Sequence, residues 1–258
     1  MSAPEVAAES RERTGTRSPV LMLLMATLGF AVNFWAWALI SPLGPMFRES
    51  GSLGTLSESD VALLVAVPVL VGSVGRIVVG ALTDRYGGRV MFPLISAVTI
   101  VPILFLAFVA LDSYVLLLVG GFVLGIAGTA FAVGVPFVNA WFPPERRGLA
   151  VGVFGAGMGG TAISALTTVK LYTDVGRTAP FLITAAVLAA YAGASWLVLR
   201  DAPGRVVPTT SMISRLSANA RLPITWHFRR RSWLAIPISN VMEGPSSDPK
   251  CAVRPRSG

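Results

Sequence analysis

The stretch VPVLVGSVGRIVVGALTDRYGGRV, residues 67–90, contains the pattern that decides the fold. Its first part is a long apolar run with a single charge, Arg76. Its last part is a short polar turn that contains glycines and two further arginines. A helix needs about 20 apolar residues to cross a bilayer. The stretch therefore predicts a membrane-spanning helix that ends at a polar connection.

The rest of the chain repeats this alternation of apolar blocks and polar connections. Of its 258 residues, 53% are hydrophobic and 13% are charged, and the mean hydropathy is +0.69. Soluble domains carry about 25% charged residues, so this composition excludes a soluble enzyme. We predict an all-α membrane protein with six transmembrane helices, at residues 19–47, 61–82, 90–111, 114–142, 149–171 and 179–199.

The net charge of +8 is concentrated in alternate connections: the N-terminus and the segments after the second, fourth and sixth blocks. The positive-inside rule then places both termini in the cytoplasm, for a multi-pass protein of the cell inner (plasma) membrane. The same rule explains the basic charge without a nucleic-acid partner. We predict a cytoplasmic tail at 1–18, a transmembrane bundle at 19–200 and a cytoplasmic, disordered tail at 201–258.

The sequence contains no pattern that indicates an enzyme, a metal site or a bound cofactor. Its one cysteine, Cys251, can form no internal disulfide and has no partners for a metal ion. Neither a P-loop nor a nucleophile elbow is present. The apolar run after residue 18 is too long for the core of a signal peptide, so we expect it to remain as the first span.

Arg76 is the one charge well inside a predicted span, and the spans contain no acidic residue to pair with it. Gly72 and Gly80 lie one turn before and after it on the same helix face, where they leave room for a ligand. A guanidinium matches a planar oxyanion, so one interpretation is an anion site. The other is that Arg76 reaches along the helix to the headgroup region.

Small residues in the fifth block recur every four positions, which is typical of close helix packing. They are Gly148, Gly152, Ala156, Gly160 and Ser164. A second interpretation is that Gly155, Gly157 and Gly159 expose backbone to a passing substrate.

Aromatic residues Phe30, Phe34 and Trp37 share one face of the first block, with Asn33 also inside it. Aromatic residues in a span are more often packing residues or interfacial anchors than ligand contacts. Asn139 in the fourth block is a candidate for a polar residue that faces the bundle interior. It could equally form a hydrogen bond to another helix.

The segment GALTDRYGGRV, residues 80–90, resembles the signature between the second and third helices of the major facilitator superfamily. The matching positions are Gly80, Asp84, Arg85, Gly88 and Arg89. The resemblance implies a charge-paired latch that holds one gating state. It also implies that the six predicted helices are the N-terminal half of that fold.

A closer resemblance is to the nitrate/nitrite porter branch of this superfamily, over residues 21–203. NFWAWALISPLGP (33–45), residues 67–89 and FAVGVPFVNAWFPPERRGLAVGVFGAGMGGTAISA (131–165) carry it. The branch binds its anion with the arginine that matches Arg76, and Phe34 is the best match for its flanking aromatic. The glycine signature of the fifth helix matches Gly152, Gly155, Gly157 and Gly160, but Met158 stands where the branch has an asparagine.

The resemblance implies a nitrate or nitrite transporter, here a half-length or truncated form, because the superfamily has two six-helix halves. Its partners would be a small inorganic anion, the lipid bilayer, and a complementary half or a second copy. The expected substrate-binding residues are Arg76, Phe34, Gly155, Gly157 and Gly160, and no cofactor is implied. Two alternatives stay open: an inactive truncated product, and a membrane scaffold or regulatory subunit without transport.

Overall fold

The computed structural model describes residues 18–203, and its regular secondary structure is helical. Six helices are long and apolar enough to cross a membrane: α1 Pro19–Trp37, α2 Glu58–Tyr86, α3 Gly88–Ala110, α4 Tyr114–Trp141, α5 Pro144–Val175 and α6 Ala179–Val198. The predicted all-α fold with six spans is therefore confirmed. The predicted tails at 1–18 and 201–258 lie almost wholly outside the described residues, so their boundaries stay predictions.

The first predicted span, 19–47, is wrong in its second half. Helix α1 ends at Trp37, the chain turns through residues 38–42, and a separate short helix, Leu43–Ser50, follows. A proline disfavours the helical conformation of the residue before it and has no N–H to donate. Pro42 therefore breaks a block that is apolar on both sides of the turn.

Helix α5 begins before the predicted residue 149. Pro144 occupies its first turn with Glu145, and the helix takes in the polar pair Arg146 and Arg147. Proline is favoured at the first helical position, and an acidic residue there complements the helix dipole. The apolar pattern predicts only the uncharged part of this helix. The helix itself begins five residues earlier, in the polar segment.

Three of the helices change their winding along their length. Helix α4 tightens into a 3-10 turn at Gly125–Thr129, and α5 does the same at Ala156–Met158. The last turns of α3 and α5, Leu106–Ala110 and Leu171–Val175, are π-helical. Such interruptions shift the face that a helix presents to its neighbours.

The turn between α2 and α3 defines what we call the basic end of the bundle, which also holds Arg85, Arg89 and the start of α5. Gly87 takes a φ of 87°, a conformation that favours glycine. A Cβ on the next residue, Gly88, would fall on the ring of Phe137. The turn therefore needs glycine twice, once for its backbone and once for space.

Two clusters of buried side chains form the core, one toward each end of the bundle. Phe30, Phe34, Phe92 and Phe137 belong to the cluster toward the basic end. The other cluster contains Leu39, Phe47, Leu106, Leu117 and Phe181. Helix α1 and the turn after it supply residues to both clusters, so α1 is the central helix of the bundle.

Candidate anion-binding site

The Arg76 side chain extends sideways from α2 toward α4. Its Nε donates to the carbonyl oxygen of Gly128 at 3.3 Å, and its guanidinium carbon lies 5.7 Å from the ring centre of Phe131. Gly128 also lies close to Gly72, one turn before Arg76 on α2. The side chain is thus held level with its own helix turn and does not run toward the basic end.

The outer nitrogens of the Arg76 guanidinium are available to a ligand. Within residues 18–203, the guanidinium of Arg76 makes its hydrogen bond through Nε alone. No carboxylate in this range lies within ion-pair distance of Arg76. The side chain is half-buried. An intramembrane charge normally finds a partner or a water-filled path, so this pair of donors is suited to an anion.

Helix α4 approaches α2 closely at this level because both helices carry glycine there. A Cβ on Gly72 would lie 3.0 Å from the carbonyl oxygen of Gly125, and one on Gly75 would lie 2.9 Å from Thr129. The 3-10 turn at Gly125–Thr129 brings the Gly128 carbonyl to the guanidinium. At the other glycine predicted to clear space, Gly80, an added Cβ would meet no atom within 4 Å.

A run of aromatic rings leads from Arg76 to the predicted residue Phe34. The ring centres of Phe131 and Phe30 are 5.6 Å apart, and those of Phe30 and Phe34 are 4.2 Å apart. Phe34 is buried, whereas Phe131 is exposed. The ring beside Arg76 is therefore Phe131, which the sequence pattern did not single out. Its signal was the glycine-rich run LGIAGTAF, residues 124–131, on the neighbouring helix.

The predicted glycines of α5 divide between two faces. Gly157 and Gly160 are buried against α1, where a Cβ would meet Phe30 and the carbonyl oxygen of Ala31 respectively. A Cβ on Gly155 or on Gly159 would meet nothing within 4 Å. Gly155 therefore lies on an open face of the helix, and the other two predicted substrate contacts, Gly157 and Gly160, pack against α1.

The four-residue stripe of α5 is a packing surface only in its second half. Gly160 and Ser164 are buried, but Gly148, Gly152 and Ala156 are exposed, and a Cβ on either of these two glycines would meet no atom within 4 Å. A four-residue step advances about 40° beyond a full helical turn, so the stripe moves off the contact face. The predicted packing of its first half is wrong for this reason.

The charged residues of the predicted latch lie at the basic end, two turns or more beyond Arg76. Asp84, Arg85 and Arg89 are exposed, and the Arg85 guanidinium lies 5.4 Å from the ring centre of Tyr86. These three charged side chains are thus separated from Arg76 along the bundle.

Two contacts that the sequence pattern did not predict hold the basic end together. Asp201, just after α6, accepts a hydrogen bond from the Arg89 backbone N–H at 3.1 Å. Arg147 Nε donates to the carbonyl oxygens of Asn139 and Phe142, both at 3.1 Å. The predicted polar residue Asn139 therefore lies in the last turn of α4. The contacts join α6 to α3 and α5 to α4.

Arg177 holds the opposite end of the bundle. Its guanidinium pairs with Asp112 at 2.6 Å and donates to the Leu111 carbonyl at 3.3 Å and the Tyr172 hydroxyl at 3.0 Å. The hydrogen bond to Asp112, and after it the bond to Tyr172, raise the pKa of Arg177 above its ordinary value. A charged arginine therefore connects the π-helical ends of α3 and α5.

A cleft of about 380 Å³ lies between α1, α2 and α5, on the side of Arg76 that faces this opposite end. Its polar lining residues are Trp37, Ser41 and Thr161, and the rest of the lining is apolar. Arg76 is not among the lining residues. Within residues 18–203, no group of three His, Cys, Asp or Glu side chains could hold a metal ion.

Comparison with known proteins identifies a family that this chain matches. A family model described as the Major Facilitator Superfamily matches residues 26–242. A bacterial homologue of the human lysosomal transporter Spinster, in an inward-facing and unoccupied conformation, matches with a TM-score of 0.59. That match has 19% identity and covers 73% of this chain and 45% of that chain. At that identity the likeness shows the fold alone.

Curated relatives match at higher identity. "Probable nitrate/nitrite transporter NarK2" of Mycobacterium tuberculosis is 46% identical over 211 residues, which are 81% of this chain and 53% of the relative. "Probable nitrate/nitrite antiporter NarK1" of Thermus thermophilus is 38% identical over 144 residues, 55% of this chain and 31% of the relative. "Probable nitrate transporter NarT" of Staphylococcus aureus is 35% identical over 154 residues, 60% of this chain and 38% of the relative.

The chain spans about half the length of these curated relatives, or less. Their names agree with the predicted resemblance to the nitrate/nitrite porter branch. The six apolar helices make the chain a multi-pass membrane protein. Because the family model covers most of the described bundle and continues beyond it, the chain belongs to the Major Facilitator Superfamily.

Proposed function

We propose that this chain is one six-helix half of a transporter that moves nitrate or nitrite across the membrane. The observation that carries the proposal is the Arg76 guanidinium, which is half-buried between α2 and α4 and has its outer nitrogens available. Nitrate is a planar oxyanion, and a guanidinium can donate to two of its oxygens at once. The names of the relatives support the same class of substrate.

The surroundings of Arg76 favour a weakly hydrated anion. Phe131 covers one side of the guanidinium, and the Phe30 and Phe154 ring centres lie 5.6 and 6.0 Å from that of Phe131. Apolar walls strengthen a charge-assisted hydrogen bond because they exclude water. Met158, exposed on α5, offers a thioether where the family signature has an asparagine, so it supplies no donor. Arg76 is therefore the principal donor from this half.

We place the second six-helix unit against the weakly buried faces of α2 and α5, since relatives of this chain are about twice its length. This unit is the partner that would complete the site. In the same proposal Asp84, Arg85 and Arg89, with Gly80 and Gly88, form the latch at the basic end. That end faces the cytoplasm, because it carries the arginines of the connections.

Uptake of nitrate into proteoliposomes that contain this chain and the complementary half of a longer relative tests the proposal. Arg76→Ala should abolish uptake, and Arg76→Lys should lose most of it, because an ammonium keeps the charge without the planar fork. Each lost hydrogen bond to a charged group, about 1.5–3 kcal/mol, corresponds to roughly a 10- to 150-fold loss of affinity, and Arg76→Ala removes both donors.

Arg48→Ala is the matched control. It removes the same charge from the surface, where Arg48 pairs with Glu58 at 3.3 Å, and uptake should stay at the wild-type level. Uptake by Arg76→Ala equal to that of wild type would mean that Arg76 is not the anion site.

The latch has a separate test. Asp84→Ala should change the proportion of the two gating states, measured by cysteine accessibility at the basic end, and should leave insertion intact. A variant that fails to insert would show instead that the motif is needed only for folding.

A further inference from the structure

The cleft and the Arg76 site lie at different depths along α2. The cleft is lined by Leu64, Val65, Pro68 and Val69, whereas Arg76 lies seven residues further on. Seven helical residues rise about 10 Å. An anion entering from the cleft would therefore have to travel about two helical turns to reach the guanidinium.

Trp37 occupies the level between them. Its indole Nε1 donates to the Pro68 carbonyl oxygen at 3.3 Å, and its side chain lines the cleft. A Cβ on Gly128 would lie 3.1 Å from this Nε1, and one on Gly72 would lie 3.7 Å from it. The indole thus fills the space that side chains at these two positions would take.

Gly128 connects Trp37 to the anion site. Its carbonyl accepts the hydrogen bond from Arg76 Nε, while a Cβ on its Cα would come within 3.1 Å of the indole Nε1. Along the bundle the order is therefore cleft, Trp37, Gly128 and Arg76. A flat ring held by one hydrogen bond therefore lies between the cleft and the guanidinium at this level.

We propose that Trp37 is the barrier that separates the cleft from the Arg76 site and that must move for an anion to pass. This inference rests on the proposed function for its cargo. The barrier stands at the last residue of α1, directly before the turn at 38–42, where a change of backbone conformation can move the ring. The Pro68 carbonyl can release the indole at the cost of one hydrogen bond.

Accessibility of an engineered cysteine tests this proposal. The full chain carries Cys251→Ser to remove its natural thiol, and single cysteines are placed at Ser41, in the cleft, or at Arg76. A charged, membrane-impermeant methanethiosulfonate is added to sealed vesicles that also contain the complementary half, on the side from which Ser41→Cys reacts. We expect Ser41→Cys to react whether or not Trp37 is present.

The Arg76→Cys reporter should be protected from that side while Trp37 is present. Trp37→Ala should raise its rate of modification by about tenfold or more. Trp37→Phe, which keeps most of the ring but has no N–H, should give a smaller rise. It also serves as the test should the alanine variant fail to fold.

Equal rates of modification of Arg76→Cys with Trp37 intact and in combination with Trp37→Ala would overturn the barrier. So would a Ser41→Cys thiol that reacts from neither side. These readouts do not depend on which anion is carried. If the uptake test shows no nitrate transport but the accessibility pattern is as expected, the proposed function is overturned and the barrier is not.

Discussion

Helices α2 and α5 differ from α3 and α4 in how much of their apolar surface this bundle buries. In an apolar 18-residue stretch of each helix, 17% of the residues of α2 and 28% of those of α5 are buried. The share is 50% in both α3 and α4. Yet α2 is as apolar as α4. Hydropathy therefore identifies the helices that enter the membrane, and burial identifies those that this half of the fold encloses by itself.

The candidate functional residues follow the same division. Arg76 and the start of the latch are on α2, and the open glycines Gly155 and Gly159 are on α5. Helix α3 instead carries buried polar groups that bond within the bundle, such as Ser96. Of the two helices that the bundle buries least, α2 thus carries the candidate Arg76 and α5 the open glycines, whereas Ser96 on the enclosed α3 bonds within the fold.

The largest expected effect separates the two faces of α5. Gly160→Leu should prevent a stable bundle, because a side chain there meets the backbone of Ala31, which cannot rotate away. Overpacking usually costs about 1–3 kcal/mol, and more where backbone must shift. Thermal unfolding in mild detergent, followed by size-exclusion chromatography, measures it.

Gly159→Leu, on the adjacent open face, is the control and should unfold at the wild-type temperature. Similar destabilisation by both substitutions would remove the distinction between a packed and an open face of α5.

A smaller effect is expected at the polar contact between α1 and α3. Asn33 Nδ2 donates to Ser96 Oγ at 2.9 Å, and both side chains are fully buried. Interhelical hydrogen bonds in membranes contribute about 0.6–2 kcal/mol. Asn33→Ala should therefore lower thermal stability, and a double-mutant cycle with Ser96→Ala should return a coupling of that size. Additive effects would mean that the bond contributes nothing.

The cap on α3 should give a still smaller change. Asp201→Ala removes the acceptor of the Arg89 backbone N–H and should destabilise the bundle by about 1 kcal/mol. Asp201→Asn keeps an oxygen acceptor and should lie close to wild type. Chemical denaturation in detergent distinguishes the three proteins, and an asparagine variant as unstable as alanine would show that the charge matters more than the hydrogen bond.

The smallest effect is expected at the opposite end. The Arg177 and Asp112 side chains are 52% and 82% exposed, and exposed ion pairs contribute about 0–1 kcal/mol. Arg177→Ala should therefore shift thermal stability only slightly, and less at high salt. A large, salt-independent loss would indicate that the contacts to Leu111 and Tyr172, and not the ion pair, hold α3 to α5.

The fold could be predicted from the sequence because each span is a local property of its own residues. Arg76 stood out for the same reason, as a lone charge in an apolar run. The break at 38–42 was harder to predict, because apolar residues continue on both sides of it. Its signal is Pro42, a single residue that a count of apolar positions does not register.

The site depends on neighbours that are distant in sequence. The Gly128 carbonyl that faces Arg76 belongs to the 3-10 turn of α4 at Gly125–Thr129, and Phe131 joins the site from the same helix. The two faces of α5 could not be separated by counting every fourth residue, since an α-helix has about 3.6 residues per turn. Packing between helices decides these features, and no single helix contains that information.

The most direct measurement of the central claim is equilibrium binding of isotopically labelled nitrate to this chain with its complementary half present. Wild type and Arg48→Ala should retain nitrate in excess over chloride, and Arg76→Ala should retain none while remaining folded. Retention of nitrate by Arg76→Ala at the wild-type level would contradict the account, because the weakly buried face of α2 would then hold no anion site.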